Sequence, residues 1–558
     1  MRGKDKDGGK VWAYAPYLLF ALALAVRVYF TPAGLLHTDS AIAVEEAERT
    51  VLTGRLHYLQ GILGYPGFAV VNSLIFWAYH TLTGASSAEG VLIFSSAFFG
   101  SLGVALTYLL TLRLTGSRMA GVFAAVILCF LPLHLSLSTY VKDQVLGTCV
   151  LLILSLTAIE AGKSGKLRLT IATGCLLGYA MAIRQQEILF LPIVFLFYYL
   201  DKPLFEAKKV KGRLKFSLKA SPYSVLYDGA VVVFCAAAVF VLFFVPKMIE
   251  QPDFDLWKSL RQSSGESAAG FGLITPQLSV SLRWVTQMIS GLGWLLLLSA
   301  LYVNFTRNRR VWFALVAWTV LYFMFYGNLM GASPYFFFNA FPPAAMLMGW
   351  GLEYAYVKWG KISLIVPALL VILMLSSILP VLEYRKAHCG PCEFAKRMGA
   401  TTSRNSVVIG MDETRHYEYY ARVDRAIGHP NALQADEMGK HLEYLRGEMR
   451  NGTGVYITTA GLSYDFLPQG MFGYNQAKKT LVNLQTKQTY DNLLFDPQSQ
   501  AVFDNETQTR LYPQGAYGLQ LFNTFKATPL YTMESEDWHH KDLELGIYDA
   551  TLYKLTER

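Results

Sequence analysis

Charge is scarce in this 558-residue chain: Asp, Glu, Lys and Arg together supply 16% of it, where an ordinary soluble domain carries about a quarter. With 53% of residues hydrophobic and 14% aromatic, that shortage excludes a single soluble globule. A basic stripe interleaved with aromatics is also missing, so the net charge of +9 is not read as a nucleic-acid footprint. It belongs mostly to Lys and Arg flanking apolar runs. Internal repeats of the kind that transporters carry are absent, and no Gly-rich phosphate fingerprint opens a helix in the carboxy-terminal third. Cysteine is sparse too. Of six, Cys129, Cys149, Cys175 and Cys235 sit in apolar runs, where thiols read as filler.

What the chain has instead is length in its apolar runs. Stretches of roughly 18–23 residues, enough for a ~30 Å hydrocarbon core, recur from Val11 to about Pro380. Beyond that point charged and amide residues return and turn signals are dense. The reading is an α-helical polytopic membrane domain over 1–381 and a small soluble α/β domain over 382–558. Arg2-Gly3-Lys4-Asp5-Lys6 precedes a run, 11–30, too long for the core of a cleaved signal. It is expected to be a retained first span with a cytoplasmic amino terminus.

Short loops rich in Lys and Arg stay cytoplasmic. The basic segments 113–118, 163–168, 202–219, 307–310 and 358–361 alternate with the less basic 37–65, 139–144, 184–187, 247–283 and 328–334. Spans are therefore predicted near 11–30, 91–112, 119–138, 144–162, 169–183, 188–200, 224–246, 284–304, 311–327, 335–356 and 362–381. The run 66–83 breaks the alternation if it crosses, so it is read as a juxtamembrane or re-entrant helix on the outer face. Loops 31–90 and 247–283 and the carboxy-terminal domain then share the non-cytoplasmic side of a multi-pass protein, most simply at the plasma membrane.

Ionisable residues gather on that side. Asp39 opens an amphipathic stretch in which Ala41, Val44, Ala47 and Val51 recur at helical spacing. Asp39 fits as its N-cap, and a cap carboxylate can also take a proton from a nucleophile. Glu45, Glu46 and Glu48 are expected on its solvated face. Lys142-Asp143 and Arg184-x-x-Glu187 add two cations and two acids at the membrane rim, where such groups are costly unless paired or solvated. The bland reading, in which each caps a span and snorkels or Arg184 and Glu187 neutralise one another, stays open.

The order of these motifs resembles the GT-C glycosyltransferases, in particular the protein mannosyltransferase and lipid A aminoarabinose transferase group. The matching features run from Asp39-x-Ala41 to Gly54, then Tyr65-Pro66-Gly67 opening an apolar helix, Arg113-Leu114-Thr115-Gly116, Asp143, Arg184-x-x-Glu187-x-x-x-x-Pro192, Pro252-Asp253-Phe254, and Tyr335 leading into Phe341-Pro342-Pro343. By resemblance Asp39 is the general base, with Asp143 beside it among the catalytic acids, and Glu187, Tyr65 and Tyr335 join the site. The family often has Asp-Glu at Asp39-Ser40, Lys-Pro-Pro at Tyr65-Pro66-Gly67, and an Arg where Pro334 stands. Lys142 and Arg184 are therefore assigned the donor phosphate instead. The Trp-Trp-Asp signature of oligosaccharyltransferases is absent.

The implied reaction transfers a sugar from a polyprenyl- or dolichyl-phosphate donor to a protein, lipid or polysaccharide acceptor, with inversion. Membrane lipid is the other partner, and nucleic acid is not one. No metal ligand set is assigned and no cofactor is required, although Asp39 and Asp143 could share a divalent cation. The rival readings are a non-enzymatic transporter or flippase for lipid-linked sugars and a membrane-anchored polymer receptor.

In the carboxy-terminal region, strands are expected at 406–410 and 455–460, with helices near 391–399, 412–421 and 432–450. Cys389-Gly390-Pro391-Cys392 spells a redox tetrapeptide but follows a span exit and not a strand. A short disulfide or two free thiols is the simpler expectation, with zinc binding beside His388 and His416 as a further option. Asn451-Gly452-Thr453 and Asn505-Glu506-Thr507 are outer-side sequons, whereas Asn304-Phe305-Thr306 should be silent.

Overall fold

The computed structural model describes residues 12–57, 64–201, 205–210, 213–218, 222–251, 253–261, 276–328, 334–410, 414–428, 435–458, 472–475, 480–483, 489–490, 493–496, 501–504, 510–511, 521, 524–533 and 550–558. The amino-terminal basic stretch, most of the Gly/Ser-rich part of the 247–283 loop and the Asn505 sequon lie outside them. Contacts divide the chain into two units, residues up to Thr31 with Ala43–Leu379, and Pro32–Ile42 with Pro380–Arg558. The division falls inside the helix Thr38–Thr53.

The first unit is helical. Its helices begin and end where the sequence supplies caps: Ser117 accepts the Ala120 amide at 3.2 Å to start Arg118–Phe130. Gly84, Gly116 and Gly165 close three helices in the left-handed conformation. Among the described residues six stretches are long and apolar enough to cross a membrane: Glu89–Thr115, Asp143–Ser164, Tyr223–Ile249, Met288–Arg307, Arg309–Gly327 and the run Tyr335–Thr401. The most apolar part of Asp143–Ser164 is 78% buried within the protein, against 22% for Tyr223–Ile249, so the first is a central helix and the second a peripheral one.

Close backbone approach sets the packing. A Cβ on Gly178 would lie 2.3 Å from the Ala236 carbonyl oxygen, and one on Gly174 2.7 Å from that of Val232. This small-xxx-small pair seats helix Leu167–Ile183 against Pro222–Glu250.

Several sequence expectations change. The run 119–138 is two helices, Arg118–Phe130 and Pro132–Leu137, because Pro132 lacks the donor to continue and holds Leu131 extended. The predicted span 284–304 lies in Pro276–Arg307, which kinks at Ser290, where φ is +62°. The basic loop 202–219 contains a hairpin, Phe205–Val210 antiparallel to Arg213–Leu218, for which the alternation Leu214, Phe216, Leu218 is the signal. Glu45 and Glu46 are buried, not solvated. Glu45 pairs with Arg49, Glu46 contributes to the field at Lys247, and Glu48 accepts the Ala88 amide at 2.7 Å.

The second unit contains a five-stranded mixed sheet in the order Phe525–Met533, Ala550–Glu557, Gly454–Thr458, Ser406–Gly410, Arg425–Gly428. Ser406–Gly410 is parallel to both of its neighbours. Its apolar residues close over a core of Phe394, Met398, Val408, Tyr417, Tyr456 and Leu552.

Cys389 and Cys392 form a disulfide at the start of helix Gly390–Thr401. The segment 32–42 is tied to this unit at Leu35. The Leu35 amide donates to the Tyr420 hydroxyl at 3.1 Å, and the Leu35 carbonyl accepts from His416 Nε2 at 2.6 Å. A Cβ on Gly34 would meet Cys392 Sγ at 2.6 Å, so glycine is what allows the chain to lie against the disulfide.

Candidate active site

The site is organised by one short element, the 3-10 helix Pro334–Ala340, whose sequence is Pro-Tyr-Phe-Phe-Phe-Asn-Ala. With three residues per turn, side chains three apart share a face. Each of its three faces has a different neighbour.

The first face carries Tyr335 and Phe338. The Lys142 ammonium, fully buried, lies 4.0 Å from the Tyr335 ring centroid, and His134 stacks on Phe338 with ring centroids 4.7 Å apart. Both partners come from the polar segment around the Pro132 break. The second face carries Phe336 and Asn339. The Arg184 guanidinium lies 4.7 Å from the Phe336 centroid and 5.1 Å from that of Tyr326, while Asn339 Nδ2 donates to Glu187 Oε1 at 2.6 Å. The third face, Phe337 and Ala340, lines an apolar cavity of about 200 Å³ together with Leu131, Val285, Ile289 and Trp294.

Local backbone explains how Arg184 gets there. Helix Leu167–Ile183 ends at Arg184, which is extended (φ −155°, ψ 118°), and a 3-10 segment, Gln185–Phe190, follows. Gly67 makes the approach from the other side: its Cβ would stand 2.8 Å from backbone atoms of Ala182 and Ile183. Helix Pro66–Thr83 thus starts against the end of Leu167–Ile183, with half-buried Tyr65 close enough to contribute to the field at Arg184.

Two charged arrangements result. Asp143, in the first turn of helix Asp143–Ser164, lies 3.9 Å from Arg184 Nη1. With its amide assigned the orientation that satisfies both neighbours, Gln144 bridges them, donating to Asp143 Oδ1 at 2.8 Å and accepting from Arg184 Nη1 at 2.6 Å. Glu187 accepts from the Tyr322 hydroxyl as well as from Asn339, and Asn339 in turn accepts from the Thr148 hydroxyl.

Glu187 stands between two predicted spans, outside both. Burial pushes its carboxyl up to about 7 against the hydrogen bond from Tyr322, the charge of Arg184 and the bond from Asn339. At Arg184 burial opposes the charge, but Tyr326, Asp143, Tyr65 and Glu187 together outweigh it and raise the pKa above the ordinary value. Arg184 and Glu187 are therefore not each other's sole partners, as a simple helical pair would have it.

Aromatic faces hold a cation without consuming its N–H donors. That is the chemical consequence of seating Arg184 between Tyr326 and Phe336. Arg184 Nε is buried without a hydrogen-bond partner among the described residues. An anionic group arriving here would meet donors already oriented and desolvated, where charge-assisted hydrogen bonds are strong.

Lys142, Asp143, Arg184, Glu187, Tyr65 and Tyr335 thus fall in the first unit and around one turn. Asp39 is in the segment grouped with the second unit. It sits in the first turn of Thr38–Thr53 and not as its cap, with a side chain 37% exposed. Its amide donates to His37 Nδ1 at 3.0 Å, and the same nitrogen lies 3.8 Å from the Asp39 carboxylate. Among the described residues no group of three or more His, Cys, Asp or Glu is arranged to hold a metal ion.

Sequence reasoning missed Gln144, Tyr322, Tyr326, Phe336 and Asn339. The available signal was a single amide, Asn339, inside an otherwise apolar aromatic run.

Residues 67–217 match the family model of dolichyl-phosphate-mannose-protein mannosyltransferases, a stretch that contains Lys142, Asp143, Arg184 and Glu187. No curated protein matches the sequence. Among solved structures, ArnT from Cupriavidus metallidurans in the apo state superposes with a TM-score of 0.57 at 14% identity, over 84% of this chain and 96% of that one. The same protein bound to undecaprenyl phosphate gives 0.55 at 15%, over 80% and 93%. The Archaeoglobus fulgidus oligosaccharyltransferase, in complex with Zn and sulfate, gives 0.52 at 14%, over 91% and 78%. At these identities the likeness is one of fold. The resemblance to GT-C glycosyltransferases read from the motifs is borne out by the family match and the shared fold.

Proposed function

We propose that the chain is an integral-membrane glycosyltransferase that uses a polyprenyl- or dolichyl-phosphate sugar and acts on the non-cytoplasmic side. The observation that carries this reading is the aromatic 3-10 helix itself. On two of its faces it seats buried cations suited to a phosphate, and on the third it lines an apolar cavity suited to a prenyl chain. Undecaprenyl phosphate is what the ArnT of similar fold is bound to.

Lys142 and Arg184 hold the phosphate, Asp143 and Glu187 keep the pair of cations neutralised when no donor is bound, and Tyr335 orients Lys142. Asp39 takes the proton of the acceptor hydroxyl. The acceptor oxygen forms the new bond to the anomeric carbon as the bond from that carbon to the phosphate oxygen breaks. Polyprenyl phosphate leaves and the anomeric centre inverts. About eleven spans, with segments 31–90 and 247–283 and residues 382–558 on the outer side, complete the reading. Dependence on a divalent cation is a variant of it that chelation of the purified protein would decide.

The test is to reconstitute the protein with undecaprenyl- or dolichyl-phosphate sugars and measure lipid phosphate set free. Release together with a glycosylated acceptor supports a transferase. Movement of intact lipid-linked sugar across the bilayer without cleavage supports the flippase reading instead. Labelling of a cysteine at position 39 from the cytosol would end the assignment of sides.

A further inference from the structure

Behind the aromatic turn lies a second polar cluster that the proposed reaction does not use. Arg27, in helix Ala15–Tyr29, is fully buried, as are His134 and Phe338. Its Nη1 donates to the Ala23 carbonyl at 3.0 Å and lies 3.9 Å from Cys129 Sγ, and its Nη2 is 2.8 Å from His134 Nδ1. Among the described residues no carboxylate reaches it. A guanidinium buried in an apolar helix without a counter-charge is expensive, and packing alone would be served better by leucine or methionine.

Arg27 can only donate. His134 Nδ1 must therefore be the acceptor, which leaves the ring proton on Nε2 and fixes both the tautomer and the ring plane. That plane, tilted only 16° from the ring of Phe338, is the support for one face of the turn Pro334–Ala340. Phe338 shares its face with Tyr335 and is the immediate neighbour of Asn339. Space for the cluster is built in at Gly100, where a Cβ would come within 3.0 Å of Arg27 Nε and 2.5 Å of Ser138 Oγ.

We infer that Arg27 and His134 form a brace for the candidate site. Arg27 fixes His134, His134 fixes Phe338, and the turn thereby presents Tyr335, Phe336 and Asn339 to Lys142, Arg184 and Glu187 in one register. Both are positioning residues, and their connection to catalysis rests on the proposed function.

Hydrogen exchange of residues 334–340 in the full chain, in lipid nanodiscs, tests the brace without any substrate. Arg27→Met and His134→Leu should each speed exchange there by roughly three- to tenfold, the scale of a lost aromatic stack. The double variant should be no faster than the stronger single one. Phe338→Leu, which keeps apolar volume and removes the ring, supplies the same readout if Arg27→Met does not fold. Unchanged exchange at 334–340, or effects of Arg27 and His134 that simply multiply, overturns the brace. Undecaprenyl phosphate binding by the same samples separates the two claims. Wild-type binding that weakens in the variants supports both, whereas responsive exchange in a wild type that binds no lipid phosphate keeps the brace and discards the donor site.

Discussion

The turn Pro334–Ala340 and the segment 32–42 hold their functional groups by opposite means. Around the turn, Lys142, Asp143, Arg184 and Glu187 are all buried, and side chains hold them from several directions: aromatic faces, the Gln144 amide, Asn339 and Tyr322. Asp39 is more than a third exposed, and its segment is anchored by its own backbone, at Leu35, to His416 and Tyr420. The difference follows from the chemistry each would serve. A phosphate site gains from donors fixed in advance in a dry setting, whereas a base that must meet a separate acceptor needs access to water and to that acceptor.

Substitutions in the two regions should therefore fail differently. Asp39→Asn removes only a proton acceptor: transfer should fall by about 10²–10⁴ with unchanged insertion, thermal stability and lipid phosphate binding. Full turnover in that variant would remove the base from the account.

In the buried region Arg184→Met leaves Asp143 and Glu187 without their cation. Breaking a buried ion pair costs about 3–5 kcal/mol, so this variant should lose stability and donor binding together. A loss of activity with an unchanged melting temperature would show that the cluster is not the preorganised unit described here.

The anchors sharpen the contrast through pH. Burial lowers the His416 pKa to about 4, although the Leu35 carbonyl pulls the other way. Its neutral form is the one that fits, and its stabilisation is complete above the ordinary histidine value and lost as pH falls toward 4. Protease cleavage within 32–42 should rise over that acidic window, and His416→Leu should abolish the pH dependence while raising cleavage throughout.

Glu187 works in the reverse sense, with its pKa raised to about 7. Its contribution is complete below the ordinary carboxylate range and is lost as pH rises through about 7. Denaturation of wild type and Glu187→Gln from pH 5 to 8 should give a stability difference that moves in favour of the glutamine as pH rises, the smallest of these effects. A constant difference would mean that Glu187 does not titrate there.

Much of this was legible from residues alone, and the exceptions share a cause. Apolar length located the helices, and the ionisable residues at 142, 143, 184 and 187 were recognisable because charge is costly in such a chain. The break at Pro132 was readable from its missing donor, yet the run 119–138 looked continuous because hydropathy is blind to backbone chemistry. Glu45 and Glu46 were misplaced because periodicity reports only the apolar face, and their neighbours Arg49 and Lys247 are set by packing. The three-faced role of Tyr335 to Ala340 was hidden because a 3-10 period of three is not visible in a run where nearly every residue is aromatic. The attachment of 32–42 to residues beyond 380 depends on contacts far apart in sequence.

The central claim is that this turn presents Lys142 and Arg184 to a lipid phosphate. Its most direct measurement is equilibrium binding of undecaprenyl phosphate to the full chain in nanodiscs, comparing wild type with the variant Lys142→Met/Arg184→Met at equal folded fraction. Saturable wild-type binding weakened at least roughly 30-fold in the double variant is predicted, the scale of losing charged hydrogen bonds. Equal affinity in the two proteins would contradict it.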